Sequence, residues 1–202
     1  MTHLYAITDS ILMPGEKLFS GVGAALQGGC TFIQYRDKSQ NTERRLSDAK
    51  KLLALCNQHN ATLIINDDIQ LAQQINAHGV HLGQGDGDVK AARILLGDGA
   101  IIGVTCHDSL ELAEHAIADG ASYIAFGRFF SSNTKPDARP ASLDLLTQAR
   151  AKFPNKMIAA IGGITPQNAQ NVLSAGADLI AVCHSLFAAD DIQAQAKLFT
   201  DL

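Results

Sequence analysis

Eight short apolar runs recur along this chain, and each is followed by a stretch with helix-like spacing of polar and apolar residues. The runs are LYAITD (4–9), FIQYRD (32–37), TLIIND (62–67), GVHLG (79–83), IIGVTC (101–106), YIAFGR (123–128), MIAAIGGI (157–164) and LIAVCHSL (179–186). Most are apolar at successive positions rather than alternating ones, which is the pattern of strands buried on both faces in a parallel sheet. The intervening segments differ in period. TERRLSDAKKLLALCNQH (42–59) sets Leu46, Ala49, Leu52, Leu53 and Cys56 on one face at three- and four-residue steps. SLELAEHAIADG and TPQNAQNVLSAG repeat the scheme. The latter is expected to begin with Thr165 as N-cap and Pro166 at the first helical position, and to stop at Gly176.

A strand–helix alternation of this kind closes into a barrel or opens into a doubly wound sheet. The count of eight and the compact units favour the barrel. So does the lack of a Gly-x-Gly-x-x-Gly after the first run, which a dinucleotide-binding sheet would want. The expected fold is α/β, a single (β/α)8 TIM barrel domain over residues 1–202, near the lower end of that fold's size range. ADGASYIAFG and SAGADLIAVC share the same entry into a strand, a weak internal repeat. No linker or low-complexity tract interrupts the pattern. The longest irregular segment, SSNTKPDARPA (131–141), follows the sixth run and is expected to be functional.

Several classes of function are disfavoured. A net charge of −4 argues against nucleic acid as a partner. No apolar run approaches the ~20 residues of a membrane span. MTHLYAITDS lacks the basic and apolar regions of a signal peptide, so a cytoplasmic location is expected. Cys30, Cys56, Cys106 and Cys183 have no Cys-x-x-Cys spacing and read as free thiols, with Cys106 and Cys183 as small core residues. A homo-oligomer is possible.

In such a barrel the chemistry sits at the C-terminal ends of the strands. There the second run carries Gln34, Arg36 and Lys38, two residues apart and so on one face of an extended chain. The third ends in Asn66 and Asp67, and Asp86 follows the fourth. The fifth gives Thr105 and His107, and the sixth leads to Ser132, Asn133, Thr134 and Lys135. Asp67 and Asp86 belong to neighbouring strands, and two close carboxylates repel unless a cation joins them. Oxygen-only ligands suit a hard ion such as Mg2+, which commonly takes one or two carboxylates plus substrate phosphates. With Arg36, Lys38 and Lys135 around the mouth, the combination calls for a pyrophosphate. The IGGI turn offers bare backbone amides near the seventh and eighth strands, the usual phosphate site of this fold.

Blander readings stand beside these. Asp68 reads as a first-turn carboxylate favourable to its helix dipole. Arg36 could pair with Asp37 or Asp9, and Gln34 could sit on the rim. His3, His59, His78 and His115 read as surface or helix positions, and His81 as a hydrogen-bonded core residue rather than a base. His107 could transfer protons, although N-capping by Asp108 explains that region as well. His184 lies close to the expected phosphate turn.

Taken together, YAITD, IQYRDK, IIND, VHLGQGD, IGVTCH, FGRFFSSNTK and AIGGIT resemble the thiamine phosphate synthase family, in order and across nearly the whole chain. That resemblance implies a (β/α)8 barrel joining a hydroxymethylpyrimidine pyrophosphate to a thiazole phosphate with release of pyrophosphate. It implies that Gln34, Arg36, Lys38 and Asn66 bind the pyrimidine pyrophosphate and that Asp67 and Asp86 hold Mg2+. Thr105 falls where the family commonly has Ser, near the pyrimidine or its leaving group. Ser132, Thr134 and Lys135 would line the phosphate-bearing mouth, with Arg36, Lys38 and Lys135 stabilising the leaving group. Gly163 and the backbone at Cys183 and His184 would hold the thiazole phosphate. Two departures stand out: Ser131-Ser132-Asn133-Thr134-Lys135 replaces the usual Pro-Thr-x-Thr-Lys, and Cys183-His184 replaces the usual Ile-Ser or Val-Ser. The alternative is a thiazole tautomerase of the same superfamily, metal-free, with His107 as the base.

Overall fold

A computed structural model describes residues 3–131 and 140–202. In chain order the elements are β1 (His3–Ile7), α1 (Lys17–Gln27), β2 (Phe32–Tyr35), α2 (Thr42–Gln58), β3 (Thr62–Asn66) and α3 (Ile69–Ile75). They continue with β4 (Gly79–Leu82), α4 (Val89–Leu96), β5 (Ile101–Thr105), α5 (Leu110–Ala118), β6 (Tyr123–Gly127) and α6 (Leu143–Lys152). The chain finishes with β7 (Met157–Ile161), α7 (Ala169–Ser174), β8 (Leu179–Val182), α8 (His184–Phe187) and α9 (Ile192–Thr200). The strands form a closed parallel barrel in sequence order, and β1 pairs with β8 through Leu4↔Ile180 and Tyr5↔Ala181. Each of the eight apolar runs is a strand, as expected.

Strand alternation sorts the core into two shells. Leu4, Ala6, Ile33, Leu63, Ile65, Val80, Ile102, Ile124, Ile158 and Ile180 face outward against the helices. Tyr5, Ile7, Phe32, Ile64, Tyr123, Ala125, Ala159, Leu179 and Ala181 fill the interior. The apolar face of α2 lies against the barrel as expected: Ala49, Leu52 and Cys56 are buried, and Leu46 and Leu53 are partly buried against the core.

Local boundaries differ from the sequence reading in four places. β2 ends at Tyr35, so Arg36 and Lys38 lie beyond the strand and share no extended face with Gln34. The turn comes at Arg36, whose amide donates to Thr8 Oγ1 at 2.9 Å. α7 begins at Ala169 rather than after Thr165, because Asn168 holds the preceding segment in a turn. Its Oδ1 accepts from the Thr165 amide at 2.9 Å and its Nδ2 donates to the Gly163 carbonyl at 3.0 Å. α5 is capped by Ser109, whose Oγ accepts from the Leu112 amide, and not by Asp108. His78 is no plain surface residue: its Nδ1 accepts from the Leu63 amide at 2.9 Å, so it satisfies the start of β3.

Candidate active site

The C-terminal ends of β2, β3 and β4 surround a cavity of about 440 Å³. Asp37, Lys38, Asn66, Asp67, Asp68 and Asp86 are among the residues that line it. Asp67 is the first residue past β3 and sits in the left-handed backbone region at φ 61°, which Asp and Asn tolerate better than most side chains. That turn lifts its carboxylate into the cavity. Lys38 Nζ donates to Asp67 Oδ2, and Asn66 Nδ2 donates to the same oxygen at 2.6 Å. Asp68 turns away. Its Oδ1 caps α3 through the Leu71 amide at 2.8 Å, and its Oδ2 meets Arg45 Nη2 at 2.8 Å. It is therefore the N-cap itself, one position before the first helical turn. Asp86 lies in the loop after β4, and the space for its carboxylate exists because Gly83 has no side chain. A Cβ there would stand 2.2 Å from Asp86 Oδ2.

The charges near these strand ends are sorted into pairs, and Arg36 is not among the residues that line the cavity. Arg36 Nη1 stands 3.9 Å from Asp9 Oδ2, which is the Asp9 option of the sequence reading. Asp37 instead meets Arg44 Nη2 at 2.6 Å. Burial pushes the Asp37 carboxyl up, but the Ser39 amide and the Arg44 guanidinium outweigh it and hold the group below the usual carboxylate range. Asp67 and Asp86 offer oxygen only, and an ammonium group already sits on Asp67. That donor set suits a hard divalent ion whose remaining ligands come from substrate phosphate and water. Among the described residues no cluster of three or more His, Cys, Asp or Glu is arranged to hold a metal by itself.

A chain of polar groups runs through the otherwise apolar barrel interior below the cavity, where branched apolar side chains are usual. Gln34 is 3% exposed and its Nε2 donates to Tyr5 Oη at 2.6 Å. Tyr5 Oη lies 2.7 Å from Tyr123 Oη, and Tyr123 Oη lies 2.8 Å from His81 Nδ1. His81 Nε2 lies 2.8 Å from Thr105 Oγ1 at the mouth. His81 is a hydrogen-bonded core residue, as the sequence suggested, and Gln34 points inward rather than onto the rim. Tyr5 and Tyr123 escaped the sequence reading, because an aromatic residue in an apolar strand looks like packing. Their signal was the phenolic tip, which needs a partner when buried.

On the far side of the mouth, Gly162 and Gly163 adopt φ 105° and 64°. A Cβ on Gly163 would stand 2.3 Å from the Ser131 carbonyl oxygen, so the glycine is required by the close pass of the chain leaving β6. Cys183 precedes α8 and is partly buried; His184, its first residue, is exposed. Ser185 Oγ donates to the Ile164 carbonyl at 2.6 Å, tying this corner to the glycine turn. His107 is exposed at φ 50°. Ser132, Thr134 and Lys135 lie outside the described residues. All four cysteines are free.

The description of the family model that matches residues 4–186 is thiamine monophosphate synthase. A thiamine-phosphate synthase from Saccharophagus degradans is 58% identical over 200 residues, which is 98% of this chain and 92% of that protein. A thiamine phosphate pyrophosphorylase from Pyrococcus furiosus superposes with a TM-score of 0.89 at 33% identity, covering 98% of this chain and 94% of that one. A thiamine phosphate pyrophosphorylase from Bacteroides thetaiotaomicron shares the fold, with a TM-score of 0.68 at 17% identity over 100% of this chain and 96% of that one. These relatives do not favour the tautomerase. Two acids and a lysine lining one cavity past the ends of β2 to β4 thus sit in a barrel matched over nearly its whole length, and the chain belongs to the thiamine monophosphate synthase family.

Proposed function

We propose that this protein is a magnesium-dependent thiamine-phosphate synthase. It joins 4-amino-2-methyl-5-(diphosphooxymethyl)pyrimidine to a thiazole phosphate and releases pyrophosphate. The observation that carries this reading is the Lys38–Asp67 pair standing with Asn66 and Asp86 in one cavity at the strand ends. A site made of acids and cations fits a reaction in which the protein binds and stabilises charge.

The bond that breaks is the one between the pyrimidine methylene carbon and the pyrophosphate oxygen, which leaves with the electron pair. The bond that forms joins that carbon to the thiazole nitrogen through the nitrogen lone pair. No proton needs to move. Lys38 and Arg36 supply fixed positive charge where the leaving oxygens gather it, and Lys135 joins them in this reading. Preorganised charge of this kind acts most strongly when water is kept out. Magnesium held by Asp67 and Asp86 would add Lewis-acid neutralisation of the phosphate charge. Lys38 would then exchange its carboxylate partner for a phosphate oxygen.

Gln34 and Asn66, with Arg36 and Lys38, bind the pyrimidine pyrophosphate in this reading, Thr105 stands near the pyrimidine or its leaving group, and Ser132 and Thr134 line the phosphate-bearing mouth. Gly163 and the backbone at Cys183 and His184 take the thiazole phosphate. The partners are these two small molecules, with neither nucleic acid nor a membrane. A cytoplasmic location and a possible homo-oligomer complete the proposal.

The test is pyrophosphate release measured with both substrates, with each omitted, and with and without Mg2+. Release that needs all three components supports the coupling reaction and the metal together. Isomerisation of a thiazole carboxylate phosphate without metal, and no pyrophosphate, would overturn it.

A further inference from the structure

The polar chain through the barrel interior has a direction. Tyr5 is 1% exposed, Tyr123 0% and His81 9%, so the hydrogen bonds among them are sheltered from water. Each phenol has one hydrogen to give. Gln34 Nε2 can only donate, and it donates to Tyr5 Oη. Tyr5 therefore gives its hydrogen to Tyr123, and Tyr123 gives its own to His81 Nδ1. A nitrogen that accepts carries no proton, so the His81 ring is protonated on Nε2, which donates to Thr105 Oγ1. Thr105, having accepted there, keeps its own hydrogen to donate at the mouth. At the other end, Gln34 has spent one N–H inward and retains its second N–H and its carbonyl oxygen, the latter as an acceptor.

The surrounding packing is built for this chain. The Tyr123 ring occupies the place a side chain at position 103 would take: a Cβ on Gly103 would stand 1.9 Å from Tyr123 Cζ and 2.3 Å from its Oη. Ala125, Ala159 and Ala181 leave the rest of the width. Tyr5 and Tyr123 meet edge to face at 5.9 Å, and the His81 ring stacks on Tyr123 at 5.5 Å. Burial pushes both phenols well above their ordinary range, so both keep their hydrogens.

We propose that Tyr123 is a positioning residue for the coupling reaction. It touches no substrate. It fixes the His81 proton on Nε2, and so makes Thr105 a hydroxyl donor on one side of the mouth while Gln34 presents an acceptor on the other. This rests on the reading of Gln34 and Thr105 as substrate-binding residues.

The test begins on the unmodified protein. Two-bond 1H–15N correlation of histidine-labelled protein reads which ring nitrogen carries the proton. The expected result for His81 is a bare Nδ1 and a protonated Nε2; a proton on Nδ1 would overturn the proposal without any variant being made. In Tyr123→Phe, His81 Nδ1 loses its donor. The Nδ1–H form is then expected to appear, and kcat to fall tenfold or more with the KM for the thiazole phosphate little changed. Tyr5→Phe removes the hydroxyl that obliges Tyr123 to give its hydrogen to His81, so the Nδ1–H form is expected to appear there as well. A Tyr123→Phe protein that folds, loses activity and retains Nε2–H would overturn the positioning role. An active Thr105→Val enzyme with the expected His81 proton would instead overturn the substrate-binding reading at Thr105, leaving the interior chain intact.

Discussion

Two adjacent carboxylates with different duties, Asp67 and Asp68, allow a sharp comparison. Asp67→Asn keeps the shape of the side chain, and asparagine tolerates the left-handed backbone at φ 61°. Its amide oxygen can still accept from Asn66, but the charge that faces Lys38, and that would hold magnesium with Asp86, is gone. Removing one preorganised electrostatic group from a transition state costs on the order of 10²–10³ in kcat. The fold should hardly notice, since the Lys38 side chain is more than half exposed. Asp68→Asn has the opposite profile. Asparagine remains a good N-cap for α3, so the bond to the Leu71 amide persists. What is lost is a partly exposed ion pair with Arg45, roughly 0.2–1 kcal/mol, and a helix-dipole contribution of about 0.3–1 kcal/mol. At this chain length about 2–4 °C of Tm accompanies each kcal/mol. Steady-state pyrophosphate release across a magnesium titration, with Tm for each variant, checks both. Asp67→Asn should lose rate and need more metal at unchanged Tm; Asp68→Asn should lose a few degrees and keep its rate. If the two variants behave alike, Asp67 is not the charged ligand of the site.

Three further outcomes follow from the structure. Gly163→Ala places a side chain at φ 64°, costing roughly 1–2 kcal/mol before the clash with the Ser131 carbonyl is counted. Its Tm should drop by about 4 °C or more, and an unchanged Tm would show that the β6 exit does not pass as close as described. Burial holds the His78 imidazole below its ordinary range, so the unfolded chain takes up a proton more readily than the folded one. Stability from this group is therefore complete above the unfolded value of about 6.5 and declines as pH falls through it toward the lower folded value. Thermal melts from about pH 8 to pH 5 should show that decline, and His78→Gln should flatten it. Finally, burial pushes the Cys30, Cys56 and Cys106 thiols up to about 12 and Cys183 up to about 11. A colourless-to-coloured thiol reagent near neutral pH should find the native protein almost inert, with partly exposed Cys183 reacting first; fast labelling of Cys56 would refute the burial of α2.

What could be read from the sequence was what is local. An apolar strand running into Asn66-Asp67-Asp68 announces a strand end that presents polar groups, and Asp86 repeats the signal one strand later. Lys38 was identified from its neighbourhood, but for the wrong geometric reason, since β2 stops at Tyr35 and the lysine arrives from the loop. Helix starts misjudged by one and by three residues, at Ser109 and Ala169, turn on which side chain reaches an amide first, a choice that composition does not settle. The interior chain was illegible for another reason. Tyr5 and Tyr123 are 118 positions apart, and only closure of the barrel brings their hydroxyls together. Gly103 likewise looks like a weak strand residue until the ring it accommodates is in place.

The β1–β8 pairing also bears on how the chain is made. β1 leaves the ribosome first, yet one of its two edges stays open until Leu179–Val182 emerges. At 5–20 residues per second, that interval is on the order of 10–40 s. Throughout it the nascent sheet has a bare edge, and the Tyr5 hydroxyl must stay hydrated until Tyr123 arrives. A closed, dry interior is therefore available only late in synthesis, once the last strand has emerged.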